Sequence, residues 1–305
     1  MGEQASVDEK PSFANLDEYS EGHSSPLPSL YRELDFNTKA LIPTGSHMVS
    51  GAAQGRLLTQ LASMTREGRV LELGTFTGYA TASLLEGAAS AGSLAGLTKG
   101  NRQDGGPYVM SMERDSKAFD VATAHLQIMT HHGLTEAAAE AAAALRGKGV
   151  APTVEESLVT FEYQDGLAKC ELVRVTDALA TLEEMAAGKG DLHPVAPFDL
   201  VFVDADKTRL LEYAAACLDS DQLLKKGGLI VVDNVLWKGL VLEASKGDFS
   251  SLETEEADDT ELRKNRRARK LANKMHYFNS EIVKDPRVEV LVLPVRDGLS
   301  IIRKK

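Results

Sequence analysis

The sequence has few cysteines, no basic excess and no long apolar run. Two of its 305 residues are cysteines, Cys170 and Cys217, too few for a disulfide framework and typical of the reduced thiols of a cytoplasmic protein. The formal net charge of −11 argues against a nucleic-acid partner. No apolar run reaches the roughly 20 residues that span a bilayer, and no signal-peptide pattern opens the chain. We therefore expect no stable membrane association.

The pattern of hydrophobic residues predicts a disordered tail followed by a single domain. Residues 1–28 are rich in Ser, Glu, Asp and Pro, which is typical of disorder. In residues 29–305, apolar β-branched runs alternate with helical stretches. This predicts an α/β fold with a Rossmann-like, mostly parallel sheet and helices on both faces. The runs at 287–294 and 298–304 predict a C-terminal antiparallel hairpin, which brings the sheet to seven strands.

Two segments interrupt the alternation. Residues 90–106 are Gly-rich and polar, which predicts a surface loop. Residues 135–164 contain the run EAAAEAAAAL, a strong local helix former with little to bury. Both segments are predicted to be insertions that lie far from the functional site.

Polar residues follow five neighbouring strands at the point where each strand ends. In open α/β sheets, ligands bind beyond the carboxyl ends of the strands. A single Asp or Asn there is explained by helix capping or by a turn. Five strands with such residues at one edge indicate a site. The residues concerned are Glu72 and Gly74, Glu113, Asp177, Asp204 with Asp206 and Lys207, and Asp233 with Asn234.

The loop LELGTFTGYAT after the first strand indicates the kind of cofactor. It carries Gly74 and Gly78 but lacks the G-x-G-x-x-G pattern, which disfavours an NAD-dependent dehydrogenase. Glu72 would repel a pyrophosphate and suits a cationic ligand. Glu113 ends the next strand, where an acidic residue binds ribose hydroxyls. A cofactor with ribose, positive charge and no phosphate fits these residues, and S-adenosylmethionine has these properties.

Seven stretches together carry a resemblance to a known family. They are HMVSG..QG, VLELGTFTGYAT, MERD, FDLVFVDADK, GGLIVVDNVLWKG, DPRVEV and LPVRDGLSI. From about Met48 to Arg303 the chain resembles the caffeoyl-CoA and catechol O-methyltransferases, which are cation-dependent enzymes on the class I methyltransferase fold. The stretches occur in the family order and at the family spacing, apart from the two insertions.

The resemblance implies a set of residues that contact S-adenosylmethionine. Two positions depart from the family pattern. Ala80 lies where the family usually has a serine that touches the cofactor, so one hydrogen bond is expected to be absent. Lys238 lies where plant relatives carry an asparagine that contacts the substrate, so the resemblance does not extend to specificity for CoA esters. The implied cofactor-binding residues are Ser50, Glu72, Gly74, Thr75, Gly78, Glu113, Ala178 and Asp206.

The resemblance also implies a metal site and a catalytic base. It assigns Asp204, Asp233 and Asn234 as metal ligands, and Lys207 as the general base beside Asp204. Two carboxylates and an amide oxygen suit Mg²⁺, which prefers oxygen ligands and leaves positions to the substrate. The absence of a nearby Cys or His set disfavours zinc. Two adjacent hydroxyls would chelate such a cation, so we expect a small catechol or caffeoyl-type aromatic acceptor.

Two other functions remain open at this point. VDADKT also fits D-x-D-x-T of the aspartyl-phosphate phosphatases, with Asp204 as nucleophile and Asp206 as acid and base. That motif normally lies on the first strand of its domain, whereas here about two hundred residues precede it. A non-catalytic S-adenosylmethionine-binding protein is the second alternative. The identity of the acceptor and the oligomeric state stay open, with a homodimer as one alternative.

Overall fold

The computed structural model describes residues 13–97, 106–192, 194–249 and 259–305. In these residues one sheet forms the centre of the molecule. Its strands are apolar, β-branched segments that coincide with the predicted runs, apart from one additional strand. The strands are β1 (Arg69–Leu73), β2 (Tyr108–Glu113), β3 (Leu158–Tyr163), β4 (Ala168–Arg174), β5 (Phe198–Val203), β6 (Leu224–Asp233), β7 (Val288–Leu293) and β8 (Leu299–Lys304).

The strand order of the sheet is β3-β4-β2-β1-β5-β6-β8-β7. The strands β4, β2, β1, β5 and β6 are parallel. β8 runs antiparallel to β6 and pairs with β7 as a hairpin. The predicted α/β fold, mostly parallel sheet and C-terminal hairpin are confirmed. The carboxyl ends of the five parallel strands meet at one edge, where the sequence places its polar residues.

The described part of the sheet has eight strands, one more than the predicted seven. The additional strand, β3, pairs antiparallel with β4. It lies inside residues 135–164, which were predicted to be an insertion with a helix and no strand. Phe161 and Tyr163 are buried, whereas residues between and before them are exposed or half-buried. This alternation is typical of an edge strand with one buried face, and the alanine run before it obscured the pattern.

Helices cover both faces of the sheet, as predicted. No helix in the described ranges is both long and apolar enough to cross a membrane. The helices are α1 (Leu16–Gly22), α2 (Ser29–Leu41), α3 (Ala52–Ser63), α4 (Tyr79–Leu94), α5 (Ser116–His132), α6 (Glu136–Gly147), α7 (Ala178–Ala186), α8 (Leu210–Asp219), α9 (Val241–Lys246) and α10 (Asp259–Ile282).

The alternation of side chains along the strands divides the core into two layers. Val70 and Leu200 point to one face and pack with α2 to α6. Leu71 and Val201 point to the other face and pack with α7 to α10. Because parallel strands are buried on both faces, these runs are almost continuously apolar.

Helix α6 differs from its prediction as a helix with little to bury. Ala138, Ala142 and Leu145 are buried, and α6 packs against α2. The side-chain amide of Asn37, in α2, donates to the backbone carbonyl of Ala142 at 2.9 Å. The small alanine side chains let the two backbones approach closely, so the alanine run forms a packing surface.

The predicted tail and the predicted loop each overlap a helix. Asn15 accepts a hydrogen bond from the Glu18 amide and caps α1, which lies within residues 1–28. Residues 1–12 lie outside the described residues, so the tail boundary stays a prediction. Helix α4 continues to Leu94 and so occupies the first part of residues 90–106. Residues 98–105 of that segment also lie outside the described ranges.

Candidate active site

The loop between β1 and α4 approaches the end of β5 closely. Gly74 has φ 99°, and a Cβ atom placed there would lie 2.3 Å from the carbonyl oxygen of Asp204. Glycine is therefore required at Gly74 by conformation and by space. Gly78, at φ 85°, precedes α4 as its N-terminal cap residue. The loop thus places the start of α4 directly beyond β1.

Glu72 is a fully buried carboxylate with one unpaired oxygen. Its Oε2 accepts hydrogen bonds from the hydroxyls of Thr81 and Ser111. Among the described residues no group bonds to Oε1. Burial raises the pKa of Glu72 to about 8, against the opposing effect of the two hydroxyl donors. Since buried polar atoms are normally paired, the free oxygen indicates a missing cationic or donor partner.

Glu113 binds the backbone of two loops. Its Oε2 accepts from the Phe76 amide at 2.7 Å, and its Oε1 accepts from the Arg114 and Asp115 amides at 2.8 and 2.7 Å. Phe76 has a φ of 51°, so the carboxylate stabilises a left-handed residue. Burial raises the pKa of Glu113. An ionised carboxylate accepts about four hydrogen bonds, so capacity remains for a ligand hydroxyl.

Arg209 joins two further loops, and no sequence motif pointed to it. Its guanidinium forms a two-point pair with Asp177, with both N···O distances 2.9 Å, and its Nε lies 3.1 Å from Asp206 Oδ2. The hydrogen bonds from Arg209 lower the pKa of Asp177. Asp177 also caps α7, which begins at Ala178. The predicted cofactor contacts Ala178 and Asp206 therefore belong to loops that one side chain connects.

Asp204 directly follows β5, and Asp233 is the last residue of the neighbouring strand β6. The Lys207 ammonium donates to Asp204 Oδ1 at 2.5 Å and to the Asp233 carbonyl at 3.2 Å. Burial raises the pKa of Asp204 to about 6; Lys207 opposes this shift and the Asp233 carboxylate adds to it. Asn234 has a φ of 65°, a conformation that asparagine tolerates. The structure thus brings Lys207 to Asp204 and to the backbone of Asp233, and Asn234 is the next residue in the chain.

Gln54 is a second residue that the sequence analysis missed. It is 2% exposed, and its Nε2 donates to Asp233 Oδ2 at 2.8 Å. The backbone N–H of Asn234 donates to the other carboxylate oxygen, Oδ1, at 2.6 Å. Gln54 belongs to the quoted stretch HMVSG..QG, but no local pattern reveals a contact between residues 179 positions apart.

Ser50 lies at the rim of the same edge. It precedes α3, is 7% exposed and accepts a hydrogen bond at its carbonyl from Arg296. Arg296 belongs to the turn between β7 and β8 and has a φ of 52°. Trp237 and Lys238, which follow Asn234, also have left-handed φ angles of 45° and 56°. Strained residues therefore surround the predicted site, as is common in functional loops.

Two further positions named in the sequence analysis, Thr75 and Ala80, are buried. Thr75 is buried and its hydroxyl lies 2.5 Å from that of Ser111, next to Glu72. Ala80 is buried in the apolar core, so no hydroxyl is present where the family carries one. Among the described residues, no three His, Cys, Asp or Glu side chains form a metal-binding group. The predicted set uses two carboxylates and one amide oxygen instead.

A mostly parallel sheet with an antiparallel C-terminal hairpin, and with acidic residues beyond its parallel strands, defines the class I methyltransferase fold. The SAH-bound Podospora anserina methyltransferase PaMTH1 shares this fold with a TM-score of 0.61 and 21% identity, over 98% of this chain and 100% of that one. The sequence comparisons identify the family.

The model of the O-methyltransferase family matches residues 150–305. O-methyltransferase ankF of Aspergillus thermomutatus is 29% identical over 292 residues, which cover 96% of this chain and 93% of that protein. Tricin synthase 1 of Oryza sativa subsp. japonica is 30% identical over 257 residues, which cover 84% of this chain and 75% of that protein. Plant caffeoyl-CoA O-methyltransferases are also among the relatives.

The chain belongs to the O-methyltransferase family that includes the caffeoyl-CoA enzymes. This confirms the resemblance and the prediction of an S-adenosylmethionine-dependent O-methyltransferase. The aspartyl-phosphate phosphatase alternative is not supported, because Asp204 follows β5 rather than the first strand of the sheet.

Proposed function

We propose that this protein methylates one hydroxyl of a small aromatic acceptor with two vicinal hydroxyls, in a reaction that requires a divalent cation. One observation carries the proposal. Asp204, Asp233 and Asn234 lie at the ends of two adjacent strands, and the Lys207 ammonium donates to the Asp204 carboxylate and to the backbone carbonyl of Asp233. Nucleic acid has no part in this proposal, and a homodimer is compatible with it.

The donor set fits a hard divalent cation. The Asp233 carboxylate raises the pKa of Asp204 further beyond the effect of burial, so the two negative charges oppose each other. The Lys207 ammonium partly compensates that charge and acts as a stand-in cation. Oxygen ligands of this type suit Mg²⁺. When bound, Mg²⁺ would supply the positive charge that acidifies an acceptor hydroxyl.

The acidic loops fit S-adenosylmethionine, which would supply the methyl group. We assign Glu72 to the cationic part of the molecule, because its Oε1 is buried and unpaired. Glu113 is assigned to the ribose, because it ends β2 and keeps acceptor capacity. Further contacts are proposed for Ser50, Gly74, Thr75, Gly78, Ala178 and Asp206.

Lys207 is the proposed general base. Its Nζ lies 2.5 Å from Asp204 Oδ1, so an acceptor hydroxyl beside Asp204 is within reach of the amine. The side chain is only 14% exposed, which limits competition from water. Asp204 orients the amine through the same hydrogen bond. The loops contribute mainly by holding donor and acceptor in line.

Two observations support an aromatic acceptor and a cytoplasmic location. The relatives include a tricin synthase and caffeoyl-CoA enzymes, whose names indicate aromatic acceptors. The cysteines Cys170 and Cys217 are both free and buried. Free thiols support the proposal of a cytoplasmic enzyme.

The test is a transfer assay with S-adenosylmethionine labelled at its methyl group. Catechol, caffeic acid, caffeoyl-CoA and a flavonoid with adjacent hydroxyls are offered with Mg²⁺ and with EDTA. We expect labelled product from at least one acceptor with adjacent hydroxyls, loss of product in EDTA, and little product from guaiacol, whose second hydroxyl is already methylated. Equal rates on guaiacol and catechol that are insensitive to EDTA would refute the proposal.

A further inference from the structure

Gln54 is the one buried amide side chain in the described residues that donates to a predicted metal ligand. It lies in the first turn of α3 and is 2% exposed. Its Nε2 donates to Asp233 Oδ2 at 2.8 Å. A buried, charge-assisted hydrogen bond of this kind fixes the orientation of a carboxylate strongly.

The two carboxylate oxygens of Asp233 accept hydrogen bonds from different parts of the chain. Oδ2 accepts a hydrogen bond from the Gln54 side chain, whereas Oδ1 accepts one from the backbone N–H of Asn234 at 2.6 Å. Each oxygen has a second acceptor position, because an ionised carboxylate accepts about four hydrogen bonds. The carboxylate is therefore fixed in rotation while it can still bind a cation.

Helix α3 also follows the segment that is predicted to contact the cofactor. Ser50 lies four positions before Gln54, and the carbonyl groups of Val49 and Ser50 accept hydrogen bonds from Arg296. The start of α3 is thus attached to the hairpin turn, and through Gln54 to the end of β6. A displacement of this segment would be transmitted directly to Asp233.

From these contacts we infer that Gln54 is a positioning residue for the metal site. It orients Asp233 and links that orientation to the segment at Ser50. The inference rests on the proposed function, since it assumes that Asp233 binds a divalent cation. In this role Gln54 acts through its hydrogen bond to Asp233 and does not itself bind the acceptor or the cation.

The test compares Mn²⁺ binding by the wild-type protein, Gln54→Met and Thr59→Val, all saturated with S-adenosylhomocysteine. Free Mn²⁺ is measured by electron paramagnetic resonance. Gln54→Met keeps the length of the side chain and removes the donor. Thr59→Val is the matched control on α3, because it removes a buried hydrogen bond to the Ser83 carbonyl that does not involve Asp233. Thermal melting of each variant is recorded in parallel.

We expect Gln54→Met to weaken Mn²⁺ binding by about 10- to 100-fold, as for other residues that orient metal ligands. Thr59→Val should leave Mn²⁺ affinity unchanged even where it lowers the melting temperature. The kcat of Gln54→Met should recover at raised Mg²⁺ with the KM for S-adenosylmethionine unchanged. If Gln54→Met does not fold, Gln54→Asn, whose amide is one methylene shorter, serves in its place.

The proposed metal site and the proposed role of Gln54 are refuted by different results. If the wild-type protein binds no Mn²⁺, the proposed metal site is wrong and the role of Gln54 falls with it. If the wild-type protein binds Mn²⁺ and Gln54→Met binds it equally well, the metal site stands and the inference about Gln54 is refuted.

Discussion

Lys207 combines two roles that a single side chain can perform in succession. In the structure its ammonium bonds to Asp204 and to the Asp233 carbonyl. In the proposed reaction Lys207 first releases a proton to solvent, and the neutral amine then accepts a proton from the acceptor hydroxyl. Both roles require the short connection from β5 to α8, which returns the side chain over the strand end. The sequence DADK encodes this geometry within four residues, Asp204 to Lys207.

Replacement of Lys207 separates catalysis from metal binding. Lys207→Ala is expected to lower kcat by about 10²- to 10⁴-fold, the usual effect of a positioned proton acceptor. The loss should be smallest at high pH, where the acceptor ionises without help. Steady-state kinetics across pH and Mg²⁺ concentration provide the measurement. Lys274→Ala is the control and should retain activity, because Lys274 is an exposed lysine that lines the same surface pocket as Lys207. An unchanged kcat across pH would exclude Lys207 as the base.

Glu72 makes stability depend on pH in a specific direction. Burial raises its pKa to about 8 from the ordinary value of 4.5. Between these values the folded protein retains a proton that the unfolded chain has lost, so stability falls as pH rises. Glu72→Gln removes this dependence, because an amide does not ionise and still accepts from Thr81 and Ser111.

The Glu72 prediction is tested by denaturant unfolding at about pH 5 and about pH 8, an interval that contains most of the change in stability due to this group. The wild-type protein should lose more free energy of unfolding over this interval than Glu72→Gln. Glu140→Gln, on an exposed position of α6, should behave like the wild-type protein. Equal pH dependence in the wild-type protein and Glu72→Gln would mean that Glu72 titrates normally.

At the level of elements, the loop between β1 and α4 depends on the packing of Gly74 against β5. Gly74→Ala introduces a Cβ atom 2.3 Å from the Asp204 carbonyl oxygen in addition to a left-handed backbone. Gly247→Ala introduces the same backbone strain, at φ 68°, with no atom within 4 Å. The strain alone costs about 1–3 kcal/mol.

We therefore expect Gly74→Ala to destabilise the protein by more than Gly247→Ala and to reduce the affinity for S-adenosylhomocysteine. Gly247→Ala should leave that affinity unchanged. Chemical unfolding and calorimetry measure the two quantities. Similar losses of stability with equal ligand affinity would show that close contact with β5 is not required.

The packing of α6 gives a second prediction for an element. Ala142 is fully buried, whereas Ala144, two positions later, is exposed. Ala142→Glu should destabilise the protein by about 2 kcal/mol or more, because a buried carboxylate loses its hydration. Ala144→Glu should change stability by less than about 0.5 kcal/mol, as is usual for surface positions. Comparable unfolding curves for both variants would mean that α6 is a peripheral appendage.

Local patterns predicted the elements well, and tertiary contacts set the limits of that prediction. The parallel strands and the hairpin follow from apolar runs that need no knowledge of their neighbours. The edge strand β3 was missed because its alternation covers only Leu158–Tyr163 and follows a strong helical signal. Gln54 and Arg209 were missed because each acts across loops that are distant in sequence. The predicted metal ligands could be identified from the sequence because they lie at or directly after the ends of strands.

For the whole molecule, ligand binding and stability are linked, because the site is assembled from loops after five strands. S-adenosylhomocysteine at one hundred times its dissociation constant should stabilise the protein by about 2.7 kcal/mol. NAD at the same concentration should not, since the loop after β1 lacks the G-x-G-x-x-G pattern that binds a pyrophosphate. Thermal unfolding with each ligand measures the difference. Stabilisation by NAD without stabilisation by S-adenosylhomocysteine would contradict the cofactor assignment.

The ion pair between Lys207 and Asp204 has a consequence for how this protein can be handled. Since the chain provides its own cation beside the proposed ligands, treatment with a chelator leaves no bare cluster of carboxylates to force the loops apart. A preparation stripped of metal should therefore keep its fold during storage. Activity should return on adding Mg²⁺, without a refolding step.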